Sequence, residues 1–269
     1  MRVGVVGAGG KVGLEVCRTV LAEPDLELSA AVDPRLDGTD LASLVPGSPA
    51  LAVSGDLAAL TASGTEVVVD FTRVEAARET LPWCAAAGIH AVVGTTGFTD
   101  DDLAGLRRAF TGGPGGANCI LAPNFAIGAV LMMRFAELAA PWFDGAEILE
   151  LHHDGKLDAP SGTSVRTAER MAAARAEAGR PDFPDDRTTT VVLEGARGGR
   201  GPGGVRMHSV RLRGLVAHQE VVLGAVGQGL TIRHDSYDRT SFMDGVVLAV
   251  RSVAERPGLT LGLEPVLGL

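Results

Sequence analysis

Two histidines, one lysine and a Pro-Ser-Gly-Thr turn crowd into the stretch Glu147 to Thr163, which reads EILELHHDGKLDAPSGT. Histidine titrates near neutrality, so His152 or His153 can both give and take a proton. Lys156 is a cation that can polarise a substrate, or donate a proton if its pKa is lowered, and Asp158 stands two residues on to orient it. Ser161, Gly162 and Thr163 open a helical run, and the first turn of a helix presents free N–H groups to an anion. A carboxylate-bearing substrate, held by that turn and exchanging a proton with the imidazole or ammonium, accounts for the combination. The plain alternative is a loop histidine pair bonded to carbonyls, with Lys156 in solvent.

The elements that must carry these residues can be read on either side. Glu147 to Leu151 alternates polar and apolar residues, the period of a half-buried strand. It delivers His152 and His153 onto a loop at its end. Ser164 to Glu177 reads as helix, with Ser161 or Thr163 as N-cap.

The N-terminal half supplies the second kind of chemistry. An apolar strand, Arg2 to Val6, runs into Gly7-Ala8-Gly9-Gly10-Lys11-Val12-Gly13, and a helical pattern follows from Val12 to Leu21. Gly7, Gly9 and Gly13 make the G-x-G-x-x-G spacing. Its first glycine turns the chain, its second admits a pyrophosphate against backbone, and its third lets helix and strand close up. A second strand, Leu26 to Val32, ends at Asp33, where a carboxylate can bond ribose hydroxyls. Arg35 or Lys11 could instead face a 2′-phosphate, or Arg35 is a solvated loop charge. A purely structural βαβ turn is the competing reading of the loop, in a chain with 36 glycines.

Further apolar strands, Glu66–Asp70, Ile89–Val93 and Cys119–Ala122, end in Phe71-Thr72, Gly94-Thr95-Thr96-Gly97 and Ala122-Pro123-Asn124-Phe125. Helical segments such as Val74–Ala87 lie between them. Apolar strands alternating with helices predict a parallel sheet covered on both faces, with ligands at the strands' carboxyl ends. After a helix from Ile127 to Leu138 the pattern turns strand-rich, with Val205–Leu212, His218–Ala225 and Leu230–His234. Pro181–Arg187 and a mobile, Gly-Arg-rich Arg197–Gly204 read as loops. This predicts an open mixed sheet, one face on helices and the other free for an oligomer contact. Thr240 to Glu255 reads as a final amphipathic helix. His90, His208, His218 and His234 are expected to be structural, and Met132-Met133 to fill the core.

Composition narrows the partners. With 269 residues the chain can form two modest domains. A net charge of -9 and only 4% aromatic residues argue against nucleic acid and anionic membrane as partners. No apolar run approaches the roughly 20 residues of a membrane span. Cys17, Cys84 and Cys119 show no metal spacing, so no metal is expected, and they read as thiols of a reducing compartment. The N-terminus enters a strand directly, so no secretory signal is expected and the location is read as cytoplasmic.

The motif E-[IL]-x-E-x-H-H-x-x-K-x-D-x-P-S-G-T over Glu147–Thr163 resembles the signature of the 4-hydroxy-tetrahydrodipicolinate reductase family. GAGGKVG, VVDFT, HAVVGTTGF, APNFAIGAV, GLVAHQEV and LTIRHDS extend the resemblance over nearly the whole chain. It implies an α/β protein with an N-terminal Rossmann-type domain, residues 1–126 and 240–269. Residues 127–239 would form an α+β domain that binds substrate and builds a homotetramer. It implies NADH or NADPH as hydride donor, a small dicarboxylate substrate and a place in lysine and diaminopimelate biosynthesis. By position, His152 is similar to the family's acid/base histidine and Lys156 to its proton donor. His153, Ser161, Gly162, Thr163 and Thr96 fall at substrate-binding positions. Gly7, Ala8, Gly9, Gly10, Lys11, Val12, Asp33, Arg35, Phe71, Gly94, Thr95, Thr96, Ala122, Pro123, Asn124 and Phe125 fall at cofactor-binding ones. An amino-acid dehydrogenase on the same plan and a non-catalytic dinucleotide sensor are the rival readings; neither needs the full His-His-x-x-Lys and Pro-Ser-Gly-Thr set.

The chain departs from many relatives where they read H-H-x-H-K. Gly155 stands in place of a third histidine, and Asp154 adds a negative charge. Both changes predict weaker binding of a dicarboxylate. Gly155→His should therefore lower the substrate KM, and steady-state kinetics returning an equal or higher KM would refute the expectation.

Overall fold

A computed structural model describes residues 1–112 and 116–269. Along the chain the strands are β1 (Arg2–Val6), β2 (Glu27–Val32), β3 (Val67–Asp70), β4 (His90–Val93), β5 (Cys119–Leu121), β6 (Gly145–His152), β7 (Gly199–Arg200), β8 (Arg206–Arg211), β9 (Ala217–Ala225), β10 (Gln228–Ser236) and β11 (Leu259–Leu261). The helices are α1 (Lys11–Ala22), α2 (Ala58–Ala62), α3 (Val74–Ala86), α4 (Asp100–Ala109), α5 (Ile127–Ala139), α6 (Gly162–Glu177), α7 (Met243–Ser252) and α8 (Glu264–Leu267). They divide into two compact units, Met1–Ile127 with Arg239–Leu269, and Gly128–Asp238. No helix among the described residues is long and apolar enough to cross a membrane.

In the first unit a six-stranded parallel sheet runs β11-β5-β4-β3-β1-β2. Strand residues alternate between faces, so a sheet covered on both sides needs apolar side chains at every position. Val67, Val68, Val69, Ala91, Val92 and Val93 are all buried. Ala91, Val93, Cys119 and Leu121 pack with Ala77 and Leu81 of α3 and Leu106 of α4. The other face meets α7, which touches β3, β4 and α1. Helix α4 shows how local chemistry sets a boundary. Thr99 accepts from the Asp102 N–H while Asp102 bonds back to Thr99, and Asp100–Asp102 at the start and Arg107-Arg108 at the end suit the helix dipole.

The C-terminal segment departs from the expected single helix. Arg239–Phe242 and Val253–Glu255 are 3-10 turns flanking α7, and the chain continues into β11, which pairs with β5 as the sixth strand. Only a partner strand distant in sequence identifies so short a segment as a strand.

The second unit holds a five-stranded mixed sheet, β10-β9-β6-β8-β7. Its central strand β6 runs parallel to β8 and antiparallel to β9. One row of β6, Ala146, Ile148 and Glu150, is buried, on the side that α6 covers. The opposite row, Leu149 and Leu151, shares its face with partly exposed Val210. Strand β6 extends one residue past the expected Leu151, so His152 sits on the strand itself and only His153 opens the loop. The stretch 197–204, expected as loop, contains β7 and a 3-10 turn at Pro202–Gly204. Met132 and Met133 are buried as expected, and the three cysteines are free and buried. Burial pushes the Cys17 and Cys84 thiols up to about 12.

Gly245 in α7 tests how tightly the first unit is packed. Alanine would favour the helix by about 1 kcal/mol. However, its Cβ would lie 2.0 Å from the Phe125 carbonyl oxygen, a backbone atom that cannot swing away. Gly245→Ala should lower Tm by about 2 °C or more. An equal or higher Tm in a thermal melt would show that the backbone yields.

Candidate active site

In the second unit the period of two along β6 puts Glu150 and His152 on one face, and the register sets Arg211 of β8 beside His152. His152 Nδ1 bonds the Glu150 carboxylate, and Glu150 is fully buried. Arg211 Nη1 and Nη2 donate to the two Glu150 oxygens at 3.0 and 2.8 Å, a fork that suits a carboxylate. Burial pushes the Glu150 carboxyl up, but bonds from Arg211, Ser209 and His152 outweigh it and leave it below the usual range. Burial pushes His152 down; Glu150 opposes that, and the charges of Lys156 and Arg211 add to it.

The loop after β6 carries the lysine. Lys156 Nζ donates to both Asp158 oxygens, at 2.8 and 2.9 Å, with the lysine side chain mostly covered and the aspartate side chain exposed. Arg211 Nη2 also donates to the Asp158 carbonyl at 2.6 Å, so one guanidinium ties the loop to the strand. His153 is exposed. Asp154 accepts from Arg213 Nε at 2.9 Å, which offsets the charge that the sequence adds there. A Cβ on Gly155 would meet His153 Nδ1 at 3.3 Å, close but against a movable ring, and Gly155 has no positive φ.

Helix α6 begins at Gly162, two residues earlier than its periodicity indicates, and of the two candidate caps it uses Ser161. The Ser161 hydroxyl accepts from the Ser164 N–H and bonds the Ser164 hydroxyl at 2.9 Å. Ser164 donates on to Gln219, which donates to Thr167. Ser161 is buried in this network, so its side chain builds the cradle from inside. The N–H groups of Gly162 and Thr163 precede the first intrahelical donors and remain for a ligand. A Cβ on Gly162 would meet nothing within 4 Å, which marks open space at the helix N-terminus.

In the first unit the residues expected to bind a dinucleotide gather along the carboxyl ends of the parallel strands. Gly7 has φ 77° and turns the chain out of β1. A Cβ on Gly13 would fall 2.1 Å from the Gly7 carbonyl oxygen, so only glycine lets α1 close on the turn. The α1 N-terminus, with Lys11 and Val12 in its first turn, has neither a side-chain cap nor an acidic residue. An uncapped positive helix end beside a glycine turn fits a pyrophosphate. Asp33 accepts from the Gly9 N–H at 3.1 Å and from Arg35 through the backbone N–H, Nε and Nη2. The hydrogen bond from the Arg35 side chain is the main force holding the Asp33 carboxyl below the usual range. Arg35 is exposed, with its guanidinium paired to Asp33.

Phe71 and Phe125 bring their rings to 5.6 Å, and Gly94 lets the Phe71 ring pass where a Cβ would be 2.0 Å away. Thr95 is buried and donates inward, whereas Thr96 is exposed. Asn124 caps the turn by accepting from the Ala126 N–H, beside buried Ala122 and exposed Pro123. The residues expected to transfer protons therefore lie in the second unit and those expected to bind a dinucleotide, Thr96 included, in the first.

Sequence reasoning passed over three residues. Glu150 had a visible signal, an acid in the buried row two places before His152. Arg211 had none, because its pairing depends on a register between distant strands. Asp70 ends β3, where its Oδ1 accepts from the Thr72 N–H, the Thr72 hydroxyl and the Thr95 hydroxyl, tying two strand-end turns together. Burial pushes its carboxyl up. The other histidines have structural settings: His90 accepts from the Asn118 N–H, His208 bonds Glu147, His218 bonds Asp235, and His234 is half-buried.

Family models for the N-terminal and C-terminal parts of dihydrodipicolinate reductase match residues 1–125 and 128–267. The chain is 52% identical to the 4-hydroxy-tetrahydrodipicolinate reductase of Mycolicibacterium vanbaalenii, over the full length of both. It is 48% identical to that of Streptomyces coelicolor, over all of this chain and 98% of the relative. A dipicolinate-bound dihydrodipicolinate reductase structure from Paenisporosarcina sp. TG-14 superposes with TM-score 0.85 at 42% identity, covering 98% of each chain. An amine dehydrogenase structure from Mycobacterium smegmatis, 16% identical over 98% of this chain and 95% of its own with TM-score 0.68, shares the fold alone.

The open space at Gly162 gives a direct test of the anion cradle. Gly162→Ala sets a methyl where an anion would approach, in a position that alanine tolerates. It should raise the substrate KM several-fold with Tm unchanged or higher. An unchanged KM would move the cradle elsewhere.

Proposed function

The chain belongs to the 4-hydroxy-tetrahydrodipicolinate reductase family, an oxidoreductase of lysine and diaminopimelate biosynthesis that works with a nicotinamide cofactor, and from that premise we propose how its residues divide the reaction. The observation that supports the division best is the convergence of His152, Lys156 and the open N-terminus of α6 in one unit.

The first unit is the dinucleotide-binding domain. The Gly7–Val12 turn and the α1 N-terminus take the pyrophosphate, and Asp33 accepts from the adenosine ribose. Either NADH or NADPH serves: Arg35, anchored on Asp33 but exposed, can turn to a 2′-phosphate. Phe71, Gly94–Thr96 and Ala122–Phe125 line the nicotinamide end. When bound, the nicotinamide supplies the hydride.

The second unit binds the substrate and forms the oligomer. The Gly162 and Thr163 N–H groups hold one carboxylate of a small dicarboxylate, and His153 contributes further contacts. That the Paenisporosarcina relative was solved with dipicolinate supports a planar dicarboxylate at this site. His152 presents Nε2, opposite the nitrogen held by Glu150, and Lys156 its ammonium. Between them they protonate the reduced ring and offset its carboxylate charge. The partly apolar face of Leu149, Leu151 and Val210 supports assembly as a homotetramer. Free, buried cysteines suit the reducing cytoplasm.

A coupled assay tests this reading. The upstream synthase condenses pyruvate with aspartate semialdehyde, and loss of NADH or NADPH is followed by absorbance. Rapid oxidation is expected, with His152→Ala and Lys156→Ala each lowering kcat by about 10²-fold or more. Parent-level turnover in either variant would remove that residue from the chemistry.

A further inference from the structure

Glu150 stands where the pattern of its strand calls for an apolar residue. It follows Ala146 and Ile148 in the buried row of β6 and is wholly shielded from solvent. A carboxylate there persists only if it is paired and hydrogen-bonded. All its partners come from its own face of the sheet. The β8 register sets Ser209 beside Glu150 and Arg211 beside His152. Arg211 bonds both carboxylate oxygens, and His152 bonds one through Nδ1.

We propose that Glu150, kept ionised by Arg211, is the positioning residue of the reaction: it holds the imidazole of His152 by Nδ1 and so makes Nε2 the atom that carries the transferable proton. The inference rests on the reading of His152 as a proton donor.

An ionised carboxylate only accepts, so Nδ1 must donate. The neutral ring is then the Nδ1–H tautomer, and the imidazolium adds its second proton at Nε2. Donation from Nε2 moves one proton to the substrate and leaves the Glu150 bond intact. The charge of Glu150 also decides whether that proton is available. Burial, Lys156 on the loop and Arg211 on β8 all favour the neutral ring, and Glu150 opposes them. Asp158 on the same loop is engaged by Lys156. The antiparallel neighbour β9 places Ala217 opposite His152 and neutral Gln219 opposite Glu150. Gln219 in turn bonds the hydroxyls of Ser164 and Thr167 on α6. Arg211 reaches the Asp158 carbonyl as well, so the same carboxylate steadies the loop that carries Lys156.

Glu150→Gln keeps the shape and removes the charge. The imidazolium form is lost as pH rises through the His152 pKa, and without Glu150 that pKa falls. The alkaline limb of the kcat–pH profile should therefore move to lower pH by about one unit or more, and kcat at neutral pH should fall about tenfold. A profile that superposes on the parent overturns the proposal. A second measurement needs no Glu150 variant. In the parent labelled with ¹⁵N-histidine, with the His152 signals assigned by their loss in His152→Ala, the neutral ring should carry its proton on Nδ1. The Nε2–H tautomer overturns the proposal. If His152→Ala turns over at the parent rate, the proton-donor reading falls and takes this inference with it. If His152→Ala is inactive while Glu150→Gln keeps the parent profile, the reading stands and only the role of Glu150 is lost.

Discussion

A carboxylate in the interior of a sheet cannot be left unpaired, and the second unit is arranged around meeting that requirement at Glu150. Two N–H groups of Arg211 and the Nδ1 of His152 converge on it. The arrangement is possible only because β6 and β8 run parallel in one register, which puts Arg211 level with His152. Slipping the register by one residue would turn Arg211 to the other face and leave a buried charge behind. The same guanidinium reaches the Asp158 carbonyl, so the strand that carries the imidazole and the loop that carries the lysine share one anchor.

Backbone proximity governs the first unit in the same way. Its sheet is apolar on both faces, which leaves the strand ends as the places where polar groups can stand. There the chain is drawn so close that side chains have no room. Gly13 admits the Gly7 carbonyl oxygen, and Gly94 admits the Phe71 ring. Asp70 adds a polar tie between the turns after β3 and β4. The outcome is a strip of turns held by their own contacts, with the free N–H groups of α1 at one end.

Lys156 and Asp158 make a pair of a different kind. The contact is bidentate, yet the Asp158 carboxylate is largely exposed. An exposed ion pair contributes little to stability. It holds the ammonium ready without committing it, whereas buried Glu150 commits His152 to one orientation. The nearby pair of Asp154 and Arg213, also exposed, sets a cation beside the carboxylate that the local sequence adds.

Much of this was legible in the residue order. Continuous apolar strands, the glycine turn after the first of them and the alternation from Glu147 to Leu151 announce a covered parallel sheet, a tight strand-to-helix turn and a half-buried strand. Each depends on a short-range period or on a steric limit that one residue type satisfies. The His-His-x-x-Lys and Pro-Ser-Gly-Thr set carried the resemblance to the family. Boundaries were less legible: β6 gains His152, and α6 starts at Gly162, because strand pairing and capping extend elements beyond their periodicity. The sequence by itself determined which residue types are available for proton transfer and anion binding, and on which kind of element each sits. Only the tertiary structure decided that Arg211 meets Glu150, that Arg35 folds back on Asp33, that Ser161 points inward and that β11 completes the sheet. Those outcomes depend on pairing between segments far apart in the chain, which no local pattern encodes.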